Sequence, residues 1–187
     1  ANPAITFTRG NQMEASDILK LAIELDKLID VPADENLTTR DKKDYWLADK
    51  DHLKEAEDRL SFKEKNLDNT NEYQKLVDKV KDSEIQFTED QLKIATIFKR
   101  MNSASALSTV FIKNDGVTDE ELAVVAERAS DLPGVSTGTD WDRSYNEDLD
   151  GSLRSILGKI TTEKEGLPAE EADELLKKGY EIGRAHV

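Results

Sequence analysis

Cysteine is absent from the 187-residue chain. No disulfide framework and no thiolate zinc site can therefore form. Proline (four) and glycine (nine) are scarce, which argues against extensive disorder or a turn-rich all-β fold. No apolar run approaches the roughly 18 residues needed to span a bilayer, and no charged-then-apolar leader precedes the first strand-like segment. Ala1 fits removal of an initiator methionine as well as leader cleavage. Histidine occurs only as His52 and His186, and neither sits in an H-E-x-x-H arrangement. The glycine-rich phosphate and dinucleotide motifs and the G-x-S-x-G nucleophile turn are missing too.

What is present is charge. Charged residues make up 35% of the chain against 37% hydrophobic, and the net charge is −14. It is unevenly spread. Residues 41–100 carry 13 basic and 15 acidic groups, whereas residues 101–187 carry nine and 18. An acidic surface repels phosphate backbones, so direct nucleic-acid binding is not expected. A lean apolar content suits helices with thin buried stripes.

The strongest periodic signal lies in the middle. Trp46, Leu53, Leu60 and Leu67 recur every seven residues, and so do Tyr73, Val80, Phe87, Ile94 and Met101. A sustained seven-residue repeat keeps one stripe facing a partner helix. The two series flank the polar turn DNTN and predict a long antiparallel coiled-coil hairpin with arms of roughly 40–48 Å. Thr88-Glu89-Asp90-Gln91 is a capping box that would start a new helix. The phase kept by Phe87 and Ile94 favours a continuous one. Ahead of the hairpin, Ile18, Leu21, Ala22, Leu25, Leu28 and Ile29 share one face of a helix that opens at Ser16 and stops at Pro32.

Elsewhere the elements are short. Ala4–Arg9 alternates like a strand with no obvious partner; Thr109–Lys113 is the clearest candidate within the chain, and the segment also reads as a terminal arm that reaches another subunit. Thr118 and Glu121 form a capping box for a helix through Ala129, which Pro133-Gly134 ends. VSTGTDWDRSY reads as a loop. Helices follow at Leu149–Ile160 and after Pro168. Similar patterns at Asp115–Leu122 and Glu165–Ala172 read as two ordinary helix starts.

Asn146–Leu157 resembles a calcium loop in part: Asn146, Asp148 and Asp150 stand at the first, third and fifth places before Gly151. The ninth place is Arg154 and the twelfth is Leu157, so the bidentate glutamate is missing. With Gly116 in the glycine position, the Asn114-Asp115 stretch is also out of register. No metal ligand, catalytic residue or cofactor-binding residue is assigned, and the chain is not expected to be an enzyme.

The expected fold is all-α, divided into residues 1–112 (strand-like arm, first helix, hairpin) and an acidic helical subdomain at 113–187. The expected function is that of an assembly subunit of a virion or similar particle, acting through protein partners or self-association. Ile5 and Phe7 in the arm and Trp141 and Tyr145 in the acidic loop are the candidate contact residues. The alternative is an acidic inhibitor occupying the nucleic-acid site of a basic protein. Because Arg154 and Leu157 replace calcium ligands, millimolar EDTA should leave the melting temperature unchanged; a drop reversed by calcium would contradict this reading.

Overall fold

The computed structural model describes residues 2–66 and 71–139. They form a three-stranded antiparallel sheet with seven α-helices. The all-α expectation is thus corrected to a mixed α/β fold, because the strand-like segments find partners within the chain.

Strand β1 (Pro3–Thr8) is the central strand, flanked by β2 (Thr109–Lys113) and β3 (Val135–Thr139). Phe7 stands opposite Val110 on one side and Val135 on the other. The register shifts between Ile5 and Thr6 on the β2 side. Of the two readings of this segment, the structure takes the intrachain candidate, Thr109–Lys113. The third strand, VSTGT, lies in the stretch read as a loop: apart from Val135 it has no strongly apolar residue, and only pairing with β1 makes it a strand. Gly134 turns the chain into β3 with φ of 84°. A side chain there would place its Cβ 2.5 Å from the Thr8 carbonyl oxygen. The Thr8 N–H donates to the Gly134 carbonyl at 2.8 Å, closing this corner. The expected boundary at 112/113 falls inside β2.

Helix α1 (Ala15–Asp26) packs on α6 (Glu89–Asn102), and α6 packs on β2. The predicted face of α1 is buried: Ile18, Leu21, Ala22 and Leu25 join Ile5, Phe7, Ile97, Phe98, Met101 and Ile112 in the main core. Burying each such large side chain stabilises by about 1.5–3 kcal/mol. The helix ends at Asp26, ahead of Pro32, with Lys27 as its C-cap.

The heptad segment does not form two long arms. It breaks into α2 (Thr39–Leu47), α3 (Lys50–Asp58), α4 (Phe62–Asn66), α5 (Glu72–Lys79) and a 3₁₀ turn at Asp82–Ile85. Side-chain caps cause the breaks. Asp49 accepts from the N–H groups of Asp51 and His52. Ser61 accepts from Glu64 N–H, and Thr88 from Gln91 N–H. Each cap satisfies backbone donors that a new helix leaves open, so it competes with continuation of the old one. The capping box at Thr88 therefore prevails over the heptad phase.

The seven-residue spacing still marks buried positions, but in two cores. Trp46, Leu47, Ala56, Leu76, Val77, Val80 and Ile85 form a second core, with Leu53, Leu60, Tyr73 and Phe87 packed against it. Ile94 and Met101 belong with the main core. The coiled-coil hairpin is replaced by a small helical head beside the sheet.

Helix α7 (Asp119–Glu127) starts at the Thr118 capping box as expected. No helix among the described residues is long and apolar enough to cross a membrane. Gly134→Ala should cost about 2–3 kcal/mol, since it combines positive φ with a backbone collision. Chemical denaturation measures this; a variant as stable as the wild type would contradict the described corner.

Candidate interaction surface

The head is organised around Arg59 at the C-terminal cap of α3. Its guanidinium donates to both Glu84 carboxylate oxygens at 2.7 Å, to the Lys79 carbonyl at 2.8 Å and to Glu55 at 3.1 Å. It also lies 5.6 Å from the Trp46 ring centroid. A bidentate, charge-assisted pair of this kind is stronger than a single ion contact. It ties α3 to the turn after α5. The Arg59 bonds, with the Lys81 backbone N–H, outweigh burial and hold the Glu84 carboxyl down at about 2. His52 stacks on Trp46 at 4.2 Å and bonds through Nδ1 to the Trp46 carbonyl. The imidazole thus belongs to the packing of the head.

Tyr73 lies between α5 and α2. Its hydroxyl donates to Asp44 at 2.7 Å. Burial first, and the neighbouring Asp44 charge second, push its phenol well above the ordinary value.

A second buried pair closes the sheet side. Lys113 on β2 donates to both Glu121 oxygens at 2.9 and 3.0 Å. Glu121 also accepts from the backbone N–H of Asp30 and of Thr118. Burial alone would raise its pKa, but these hydrogen bonds and Lys113 outweigh it and the net shift is downward. Glu121 therefore anchors α7 to the segment after α1 and to the sheet.

The candidate contact residues fare differently. Ile5 and Phe7 are fully buried in the central strand. Their partners are intrachain, so the exposed-arm reading is corrected. Trp141 and Tyr145 lie outside the described residues, as do the Asn146–Leu157 stretch and His186. Asn114-Asp115-Gly116 makes the turn from β2 to α7, with Gly116 at φ 69°. Among the described residues no group of three or more histidine, cysteine or acidic side chains is arranged to hold a metal ion.

Among the described residues, the large apolar side chains that face solvent are Phe62 (75% exposed), Leu107 (62%) and, marginally, Ile23. Sequence reasoning passed over Phe62, although a signal existed: it falls two places after Leu60 and so out of the buried phase, between Ser61 and Lys63. Leu107 gave no such signal. It sits at φ 64° in the loop before β2, a conformation that leucine rarely adopts.

Comparison with known proteins defines the class. Residues 2–186 match the family described as the penicillin-binding protein dimerisation domain, and the chain belongs to that family. It is 37% identical over 184 residues to penicillin-binding protein 2B of Streptococcus pneumoniae, covering 95% of this chain and 26% of that protein. It is 36% identical over 184 residues to penicillin-binding protein 2A of Bacillus subtilis, covering 25% of it. The solved structure of penicillin-binding protein 2B from S. pneumoniae strain R6 superposes with a TM-score of 0.59 at 30% identity, over 97% of this chain and 28% of that one. The chain thus spans about a quarter of the length of these relatives. Family membership overturns both functional expectations, the virion-type assembly subunit and the acidic inhibitor of a nucleic-acid site. The broader expectation of protein–protein interaction agrees with a dimerisation domain.

The Arg59–Glu84 pair carries a pH consequence. A carboxyl held near 2 when folded, against 4.5 ordinarily, contributes stability that is full above about 4.5 and lost as pH falls toward 2. Glu84→Gln should cost about 1–3 kcal/mol at neutral pH. It should also flatten the acid dependence of stability in that window. Urea titrations at pH 7 and pH 3 test this; an unchanged wild-type acid slope would contradict it.

Proposed function

We propose that this chain is a non-catalytic contact module within a longer penicillin-binding protein of cell-wall assembly, and that it joins one copy to another. The match to a dimerisation-domain family across residues 2–186 carries this reading. Its support in the molecule is chemical. Interfaces draw most of their energy from a few aromatic and aliphatic anchors, and Phe62 offers one on the outside of the head. Trp141 and Tyr145 are proposed as further contact residues, because aromatic rings beside Asp140, Asp142 and Arg143 combine apolar area with polar partners. Surface charge tunes such contacts more than it drives them.

Sedimentation velocity over a concentration series tests the proposal. The chain should show a concentration-dependent monomer–dimer equilibrium. Phe62→Ala should weaken it about tenfold, a loss of about 1.4 kcal/mol, while folding stability stays within roughly 0.5 kcal/mol of wild type. The chain alone should take up no fluorescent penicillin. A strictly monomeric chain at the highest attainable concentration would end the self-association reading, and penicillin labelling would end the non-catalytic one.

A further inference from the structure

Besides the aromatic contacts of Tyr45 with Phe87 and Phe98, the main core and the head core share a polar joint. The N-terminus of α1 supplies Glu14 and Ser16, α2 supplies Asp44, the head supplies Tyr73, and the end of α6 supplies Asn102; together they line a partly open cavity of about 20 Å³. Leu47, Ala48 and Leu53 form its apolar wall. Ser16 is 7% exposed. Its Oγ is the buried side-chain polar atom among the described residues that no protein group hydrogen-bonds. A buried hydroxyl left unpaired is costly, and such groups are ordinarily satisfied.

We propose that this joint is a binding site for one water molecule, held by the Ser16 hydroxyl and by the carboxylates of Glu14 and Asp44. The volume exceeds the roughly 10–15 Å³ that one water needs, and two to four polar partners are what such a water requires. The charges select water over a cation. Glu14 already has Lys50 Nζ at 3.8 Å. Asp44 already accepts from Arg40 Nε at 3.0 Å and from the Tyr73 hydroxyl at 2.7 Å. Each carboxylate is therefore compensated, and what the site lacks is a neutral group that both donates and accepts. A water in this position links α1, which packs in the sheet core, to α2, which leads into the head.

Two measurements on the full chain test the site. Water–amide cross-relaxation in NMR of the wild type should show a long-lived water beside the Ala15 and Ser16 amides. Ser16→Ala should lower the melting temperature by roughly 2–4 °C, because the water loses a partner. An unchanged or raised melting temperature would mean that the hydroxyl was unpaired in a dry cavity, and would overturn the proposal. So would a wild-type melting temperature that rises when sodium replaces choline at equal ionic strength, which would indicate a cation. Should the variant fail to fold, the cross-relaxation experiment decides alone, and its absence rejects the site.

Discussion

The pairing of β1 with two strands that lie far along the chain is the constraint on which the fold depends. Thr8 and Thr109 touch across 101 residues of sequence, and β3 closes the other side of the same strand. This brings the beginning, the middle and residue 139 of the chain into one sheet. The central strand has hydrogen-bonding neighbours on both edges, so its backbone polar groups are paired and it can lie in the interior. Ile5 and Phe7 are buried because α1 and α6 cover the face of the sheet on which they stand. Buried Arg9, just after β1, ties the strand to the end of α6 through the carbonyls of Asn102 and Ala104.

The head depends on this platform but has its own interior. It is built from short capped helices around Trp46 and is held by the fork of Arg59 on Glu84. Between it and the sheet core, Tyr45 packs against both Phe87 and Phe98, and polar contacts flank it where Lys50 reaches Glu14 and Lys99 reaches Asp41. Exposed Phe62 stands on α4 of the head.

Among the described residues, part of the acidity serves the helix ends. In the first turn of α7, Asp119 and Glu120 face solvent at the positive end of the helix dipole, while Glu121 turns inward to Lys113. In α6, Glu89 and Asp90 stand at the N-terminus, and Lys99 and Arg100 in the last turn. Charges distributed in this way stabilise helix ends by a few tenths to about 1 kcal/mol each.

Local chemistry made much of this legible before the fold was known. The faces of α1 and α6, the capping box at Thr118, the turn at Pro133-Gly134 and the strand-like segments Ala4–Arg9 and Thr109–Lys113 all rest on spacing within a few residues or on strand-like composition, which a sequence displays directly. Tertiary structure decided the rest. The seven-residue repeat marks burial correctly at Trp46, Val80 and Met101, but period alone does not say whether those residues share one seam. Caps at Asp49, Ser61 and Thr88 divide them between two cores, because a satisfied cap competes with helix continuation on nearly equal terms and packing breaks the tie. The strand at Val135–Thr139 has no apolar alternation of its own, since the hydrogen bonds that make it a strand belong to β1. Whether Phe7 is an exposed anchor or a core residue likewise depends on partners more than 100 residues away, and no local pattern encodes so distant a contact.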